Sequence, residues 1–437
     1  MNSDIIIIGS GPGGYQAAAY AAKNGLKVTI IEERHAGGTC LNEGCIPTKT
    51  LCHEVDVLET LRTVMPEAKA DYAHATQRLE EVVGQLRSGV EQLMSMPGIT
   101  MVKGHASFKD AHTVCAGSEE YSAPKIIIAT GSKPKMPPHA DIDMSVVSTS
   151  TEMLQLDHVP GSIAIVGAGV IGMEFASIFN SFGSKVTVIE FLKECLPAVD
   201  SDVAKRLRKQ LEKRGITFSM QSAVKRINSD GILFERKGKE DTVKADVMLV
   251  ATGRTPNING LNLEAAGVEH SPKGITTDDR MHTNVDGIYA IGDVNGRQML
   301  AHAATMQGIM VVNEILGKPS GIRLDIMPAA IFTRPEAACV GASEDYCKAN
   351  GVEHTCRKAF FRSNGKALSM NETEGMLKLI SDKDGKIIGC HCFGPHAADI
   401  VQEISVLMCR DTTISQLADM VHIHPTLGEI IHDAAME

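Results

Sequence analysis

Two stretches of the 437-residue chain lie over each other without a gap: DIIIIGSGPGGYQAAAYAAKNGLKVTIIE from Asp4 to Glu32, and SIAIVGAGVIGMEFASIFNSFGSKVTVIE from Ser162 to Glu190. Each reads as an apolar strand, a GxGxxG turn, a helix whose small residues face a sheet, and a second apolar strand closing on an acid. In both copies the first glycine and the acid stand 23 residues apart. One GxGxxG is a weak signal, but two of them, each between strands and each followed by an acid at that distance, make chance a poor explanation. The duplication predicts two nucleotide-binding α/β folds in one chain.

The spacing has a physical basis. The glycines allow a tight turn and let a pyrophosphate reach the amides at the helix start, where the dipole favours an anion, while the carboxylate accepts hydrogen bonds from a ribose. Gly9, Gly11, Gly14 and Glu32 make one such set; Gly167, Gly169, Gly172 and Glu190 make the other. Glu190 repels a 2'-phosphate and only Lys193 lies near in sequence to offset it, which favours NAD over NADP. The plainer alternative for either copy is an α/β unit that has lost its ligand. Two further phrases, KIIIATGSKP from Lys125 and DVMLVATGRTP from Asp246, each end an apolar strand in Ala-Thr-Gly and read as module ends, the glycine permitting a sharp turn. KPKMPPHA then reads as a proline-rich link and GRTPNING as an exit. GIYAIGDVNG sets Asp293 after a strand and a glycine, where an ordinary polar turn is the simpler reading.

Length and composition limit the rest. A chain this long suggests about three or four domains. A formal charge of -10 without a long basic run argues against nucleic acid or an anionic membrane as the principal partner. No stretch approaches ~18 consecutive apolar residues, so no membrane span is expected. The first apolar run, from Ile5, lacks a basic leader and breaks into glycines, unlike a signal peptide. Eleven cysteines then suit a reducing cytoplasm, where most are free thiols. Leu79, Val82, Val83, Leu86, Val90 and Leu93 recur at helical spacing and read as a packing stripe.

Cys40 and Cys45 stand in GGTCLNEGCIPTK, which runs from Gly37 to Lys49. In one regular helix, residues five apart point about 140° away from each other, so the two can meet only if the segment is broken or looped. Gly37, Gly38 and Gly44 supply that freedom, and Pro47 suits a first helical turn, so a helix is expected to begin close to Cys45 and favour its thiolate. Three readings are open: a zinc clamp, an inert disulfide and a redox pair. Zinc needs further ligands that nothing beside the motif supplies, and redox cycling is the preferred reading.

This segment resembles the GGTCxNxGCxPSK signature of the flavin-dependent pyridine nucleotide-disulfide oxidoreductases, with Thr48 in place of the usual serine. The resemblance covers almost the whole chain and implies an α/β architecture: two Rossmann-like domains, for FAD and NAD, and a C-terminal α+β dimerisation domain. The expected divisions are 1–140 for FAD, 141–255 for NAD, 256–326 for a central segment completing the FAD site, and 327–437 for dimerisation. By resemblance, Gly9, Gly11, Gly14 and Glu32 hold FAD, helped by Ala106, Thr130, Gly131 and Ser132. Asp293 lies on the flavin side, and Met299, Ala301 and His302 belong to a second flavin loop in which Gln307 replaces a frequent glutamate. NAD falls to Gly167, Gly169, Gly172 and Glu190, with Val224 and Gly253. Lys49 matches a lysine near flavin N5 that pairs with a glutamate, here Glu174. Cys45 is the implied thiolate against the flavin and Cys40 the thiol that meets substrate.

Near the C-terminus, HIHPTLGEI places His424 five residues before Glu429. A lone pair at this spacing would more simply be structural. In the family, the histidine of HPTxxE is an acid-base catalyst oriented by the glutamate and delivered to the other subunit's site, so a homodimer is implied. His422 has no such match and reads as structural. CHCFGPH resembles a metal site superficially, but strand alternation sends Cys390 and Cys392 to one face and His391 to the other. No metal is assigned. The implied reaction oxidises dihydrolipoamide and reduces NAD, with the lipoyl domain of an acyltransferase or a glycine-cleavage H protein as partner. Glutathione-type relatives usually prefer NADPH, with arginines after the second strand and a tyrosine at the position of Val170; Glu190 and Val170 disagree with that. Relatives that reduce mercuric ion carry vicinal cysteines not found after Glu429. A role confined to docking in a multienzyme assembly fits poorly with the intact set of Cys40, Cys45, His424 and Glu429.

Overall fold

The computed structural model describes residues 3–437, which divide into two compact units. The first takes in the chain up to Leu51 with Ala73–Lys135 and Gly253–Leu324. At its centre is a five-stranded parallel sheet ordered Ile288–Ala290, Lys125–Ile128, Ile5–Ile8, Val28–Glu32, Ile99–Lys103. Four consecutive isoleucines make the central strand and all are buried, as a parallel strand covered on both faces requires. Helix Pro12–Lys23 opens with proline at its first position, where the missing N–H costs nothing, and buries Ala17, Ala18 and Ala21. It packs on helix Ala301–Ile315 through glycine, since a Cβ on Gly308 would lie 2.9 Å from the Gly13 carbonyl oxygen. A three-stranded antiparallel sheet, Ala106–Asp110, Thr113–Ala116 and Glu119–Ser122, adds Phe108 and Val114 to the same apolar core as Ile126 and Ile128.

The segments read as link and exit form a two-stranded antiparallel ribbon, Ser132–Pro134 against Arg254–Pro256. Proline is tolerated there because such a ribbon has open edges. The helical stripe also differs in one place. In helix Tyr72–Met94, Leu79, Val83 and Val90 are buried and Val82 and Leu93 half-buried, but Leu86 is 42% exposed, because among the described residues that turn is left open to solvent.

The second unit comprises Cys52–Tyr72, Met136–Thr252 and Asp325–Glu437. Its parallel sheet is ordered Val147–Ser148, Val247–Val250, Ser162–Val166, Lys185–Glu190, Thr217–Met220. Helix Val170–Phe182 is buried over most of its length and ends in a left-handed Gly183. An antiparallel sheet ordered Ala329–Ile331, Glu336–Gly341, Ile387–Gly394, Met376–Asp382, His354–Phe360 is covered by helices Ala397–Met408 and Glu429–Met436. Cys390 and Cys392 face this helical core with Leu377 and Ile404. His391 points the other way: its Nδ1 accepts the Asp200 amide at 3.0 Å and its Nε2 donates to the Ala342 carbonyl at 3.1 Å, so the alternation read from CHCFGPH holds. Buried Lys378 pairs with both Asp200 oxygens at 2.9 Å and with Glu344. Among the described residues no helix is long and apolar enough to cross a membrane. The chain thus has the expected mixed α/β architecture.

Candidate active site

The two duplicated turns share a backbone hydrogen-bond plan. Gly9 N donates to Ile31 O at 2.8 Å and Gly167 N to Ile189 O at 2.9 Å; Ala129 N donates to Ile8 O and Ala251 N to Val166 O, both at 2.8 Å. The third glycine of each turn is sterically fixed, because a Cβ on Gly14 or Gly172 would sit 2.0 Å from the carbonyl oxygen of the first glycine. At the second glycine the reverse holds: no atom lies within 4 Å of a Cβ on Gly11 or Gly169. That opening at the start of a helix is where a pyrophosphate fits. The terminal acids are held alike. Glu32 Oε2 accepts Ser10 N and Oγ at 2.8 Å while Oε1 accepts Arg34 N at 2.8 Å; Glu190 accepts Ala168 N at 2.6 Å and Leu192 N at 2.7 Å.

The cysteine motif is pressed against the first turn, since a Cβ on Gly38 (φ 62°) would lie 2.6 Å from Gly11 Cα. Cys40 sits in the short helix Gly38–Glu43, and Cys45 opens helix Cys45–Val64. Gly44 breaks the path between them, and a Cβ there would be 3.0 Å from Thr39 O. This break brings the two half-buried thiols into hydrogen-bonding contact, which one continuous helix forbids. Cys40 is pushed up well above an ordinary thiol by its hydrogen bond to Cys45, by burial and by the Cys45 charge, with the Lys49 charge acting in the opposite direction. The Cys40 thiol therefore holds its proton beside Cys45.

Arg254, in a phrase read only as an exit, joins the same unit's site. Its Nε donates to Ser132 Oγ at 2.6 Å and its Nη2 to Ser132 O at 2.7 Å, and Ser132 Oγ donates to Asp293 Oδ2 at 2.5 Å. Burial lowers the Arg254 guanidinium from its ordinary value, opposed by the charges of Asp293, Cys45 and Glu43. Sequence reasoning missed Arg254; its position just after Ala-Thr-Gly was the available signal. Gln307 is buried and its Oε1 accepts Gly292 N at 2.7 Å and Asn295 Nδ2 at 3.1 Å, so it anchors the loop that carries Asp293. An amide oxygen does here what a carboxylate oxygen would do, without burying a charge.

The other expected residues are distributed as follows. Thr130 Oγ1 donates to Asn257 O at 2.7 Å, and Gly131 adopts φ 72°. Ala106 is buried opposite Ala116 at the start of its strand. Met299 precedes helix Ala301–Ile315, whose first two residues are Ala301 and His302. Val224 lies in strand Ser222–Asn228 of the second unit, whereas Gly253 belongs to the first, where its carbonyl accepts Lys135 N at 3.0 Å. Lys49 is in the first unit and Glu174 in the second, where Glu174 is buried and accepts Phe332 N at 2.9 Å.

His424 and Glu429 meet in the second unit. His424 Nδ1 donates to Glu429 Oε1 at 2.8 Å, and Thr426 N donates to Glu429 Oε2 at 2.8 Å. The Thr426 amide, then the imidazole, lower the Glu429 carboxyl from its ordinary value. With Nδ1 held, Nε2 is the basic nitrogen, and the His424 side chain is 79% exposed. His422, by contrast, has both ring nitrogens engaged, with Met420 O and with Glu403, each at 3.1 Å.

Two open nucleotide turns, a thiol pair against one of them and an outward-facing histidine-carboxylate dyad define a nucleotide-dependent disulfide oxidoreductase. The chain belongs to the pyridine nucleotide-disulphide oxidoreductase family: that family's profile matches residues 3–308 and its dimerisation domain residues 327–435. Among relatives, the mitochondrial dihydrolipoyl dehydrogenase of Pisum sativum is 37% identical over 99% of this chain and 91% of that protein, and a dihydrolipoyl dehydrogenase of Bacillus subtilis strain 168 is 36% identical over 99% and 98%. Leghemoglobin reductase of Glycine max is 36% identical over 99% and 87%. The solved HOCl-induced flavoprotein disulfide reductase RclA of Escherichia coli superposes with a TM-score of 0.89 at 31% identity, over 99% of both chains.

Proposed function

We propose that the chain oxidises dihydrolipoamide to lipoamide and reduces NAD, with one tightly bound FAD per subunit. The observation that carries this reading is the Cys40–Cys45 thiol contact, made beside an open nucleotide turn. The opening at Gly11, with Gly9, Gly14 and Glu32 around it, fits the pyrophosphate and ribose of FAD. Ala106, Thr130, Gly131, Ser132, Asp293, Met299, Ala301 and His302 complete that site. Gly167, Gly169, Gly172 and Glu190 take NAD with Val224. Bound FAD supplies the two-electron link between the thiol pair and the nicotinamide.

The sulfur chemistry falls to this chain's own residues. His424 Nε2 of a second copy removes a proton from one substrate thiol. The thiolate attacks Cys40 Sγ of the oxidised pair, the Cys40–Cys45 bond breaks, and Cys45 leaves as thiolate. The second substrate thiol, deprotonated in turn, attacks the substrate sulfur bonded to Cys40. Cyclic lipoamide is released and Cys40 takes up a proton. Substrate loses two electrons and the cysteine pair gains them, ending in the protonation pattern that the thiol contact favours. Lys49 places positive charge beside the cofactor.

The dimerisation domain supports a homodimer, and the divisions at residues 140, 255 and 326 describe its parts. The partner is a lipoyl domain, of an acyltransferase or a glycine-cleavage H protein, in the cytoplasm. Steady-state assays of lipoamide, glutathione disulfide and mercuric ion with NADH and NADPH test this: lipoamide with NADH is the expected best pair, and glutathione disulfide with NADPH as the best pair would refute it.

A further inference from the structure

We propose that Glu344, His354 and Cys356 form a binding site for one zinc(II)-class cation on the C-terminal sheet. This goes beyond the redox reading and uses none of its residues.

His354 opens the edge strand His354–Phe360 and Cys356 follows two residues later, so strand alternation turns both to one face. Glu344 comes to that face from helix Glu344–Ala349. A carboxylate oxygen, an imidazole nitrogen and the thiol sulfur lie within 4.8 Å of one another, and all three residues are half-buried. A tetrahedral ion about 2.0–2.3 Å from each ligand places ligand atoms on the order of 3.3–3.8 Å apart, so side-chain rotations of about 1 Å close the site.

Three features around the triad prepare it for a metal. His354 Nδ1 donates to the Val352 carbonyl at 2.7 Å, which fixes the tautomer and leaves Nε2 as the ligating nitrogen. Glu344 is held in place by ion pairs from Lys348 on one oxygen and Lys378 on the other, and a bound cation shares the carboxylate with them. Lys378 is itself anchored by both Asp200 oxygens at 2.9 Å, so one buried cation orients the carboxylate while its charge is shared with a second acid. Cys356 is half-buried, and zinc takes its sulfur as thiolate, the thiol proton passing to solvent. Thiolate, imidazole and carboxylate together, with a fourth position for water, suit zinc(II) over magnesium or calcium, which take oxygen ligands alone. HTC at 354–356 carried the signal in the sequence, hidden because the third ligand comes from a separate helix.

The test uses flavin-loaded Cys40→Ser/Cys45→Ser protein, in which the redox pair offers no thiolate, titrated with zinc(II) and, separately, cobalt(II). One ion per subunit is expected, with one proton released per zinc and a sulfur-ligated tetrahedral cobalt spectrum on the red side of the flavin bands. Adding Cys356→Ser or His354→Ala weakens zinc binding on the order of 100-fold while flavin content and thermal unfolding without metal stay unchanged. If the second-site variants alter the fold, cobalt titration of the parent decides through its ligand-field bands alone. Absence of zinc uptake, an octahedral spectrum without sulfur, or unchanged affinity in folded Cys356→Ser and His354→Ala variants would overturn the proposal.

Discussion

The two nucleotide turns repeat each other almost atom for atom at the first and third glycines, yet their surroundings diverge at once beyond the acid. After Glu32 the chain runs through Gly37 and Gly38 into the cysteine helices; after Glu190 it runs into Phe191, 72% exposed, and Leu192. Glu32 is buried under three donors, whereas Glu190 is half-buried with two. The sheets also close differently: the first takes its edge strand from Ile288–Ala290, far downstream, and the second from Val147–Ser148, just upstream. The comparison teaches that the turn is a reusable anion cradle and that chemistry is set by what is attached to it. Only the first copy leads into a pair of thiols in mutual contact.

The strongest way to break that contrast is to remove the sulfur. Cys40→Ser and Cys45→Ser should each reduce dihydrolipoamide-dependent NAD reduction to background while flavin content is retained, which absorbance and steady-state assays measure together. Next in size, His424→Gln should lower kcat/KM by about 10²–10⁴-fold. Glu429 adds a pH test. Its lowered carboxyl keeps the dyad's charge above the ordinary carboxylate range, and loses it only as pH falls through the lowered value, so Glu429 should contribute no inflection to the rate profile between about pH 5 and 8.

Paired glycine substitutions sharpen the comparison directly. Gly14→Ala and Gly172→Ala each drive a Cβ to within 2.0 Å of a carbonyl oxygen, an overpacking that costs about 1–3 kcal/mol. Gly14→Ala should lose bound flavin, while Gly172→Ala should keep it and raise KM for NAD; equal effects on both measurements would erase the distinction between the copies. The smallest expected effect is at Glu190, where Glu190→Ala should shift preference toward NADP by about fivefold to tenfold in kcat/KM ratios, the scale of one screened like-charge contact.

Features encoded within about thirty residues were legible in the sequence. The duplication gave both turns because strand, glycine spacing and acid are all local, and the geometry of a regular helix was enough to show that Cys40 and Cys45 meet only across a break or loop. Features that join distant segments were not. Nothing at Ile288–Ala290 marks it as the edge of the sheet begun at Ile5, and nothing at Arg254 alone reveals that its partners are Ser132 and Asp293. Leu86 shows the converse failure: periodicity reports which side of a helix a residue faces, not whether anything covers it.

The account rests most directly on reversible opening of one sulfur-sulfur bond. One equivalent of dihydrolipoamide is added anaerobically to oxidised protein, with alkylation and peptide mass mapping before and after. Cys40 and Cys45 should be protected beforehand, become alkylated together after reduction, and regain protection when NAD is supplied. Alkylation of either cysteine before reduction, or no change at either one afterwards, would contradict the account.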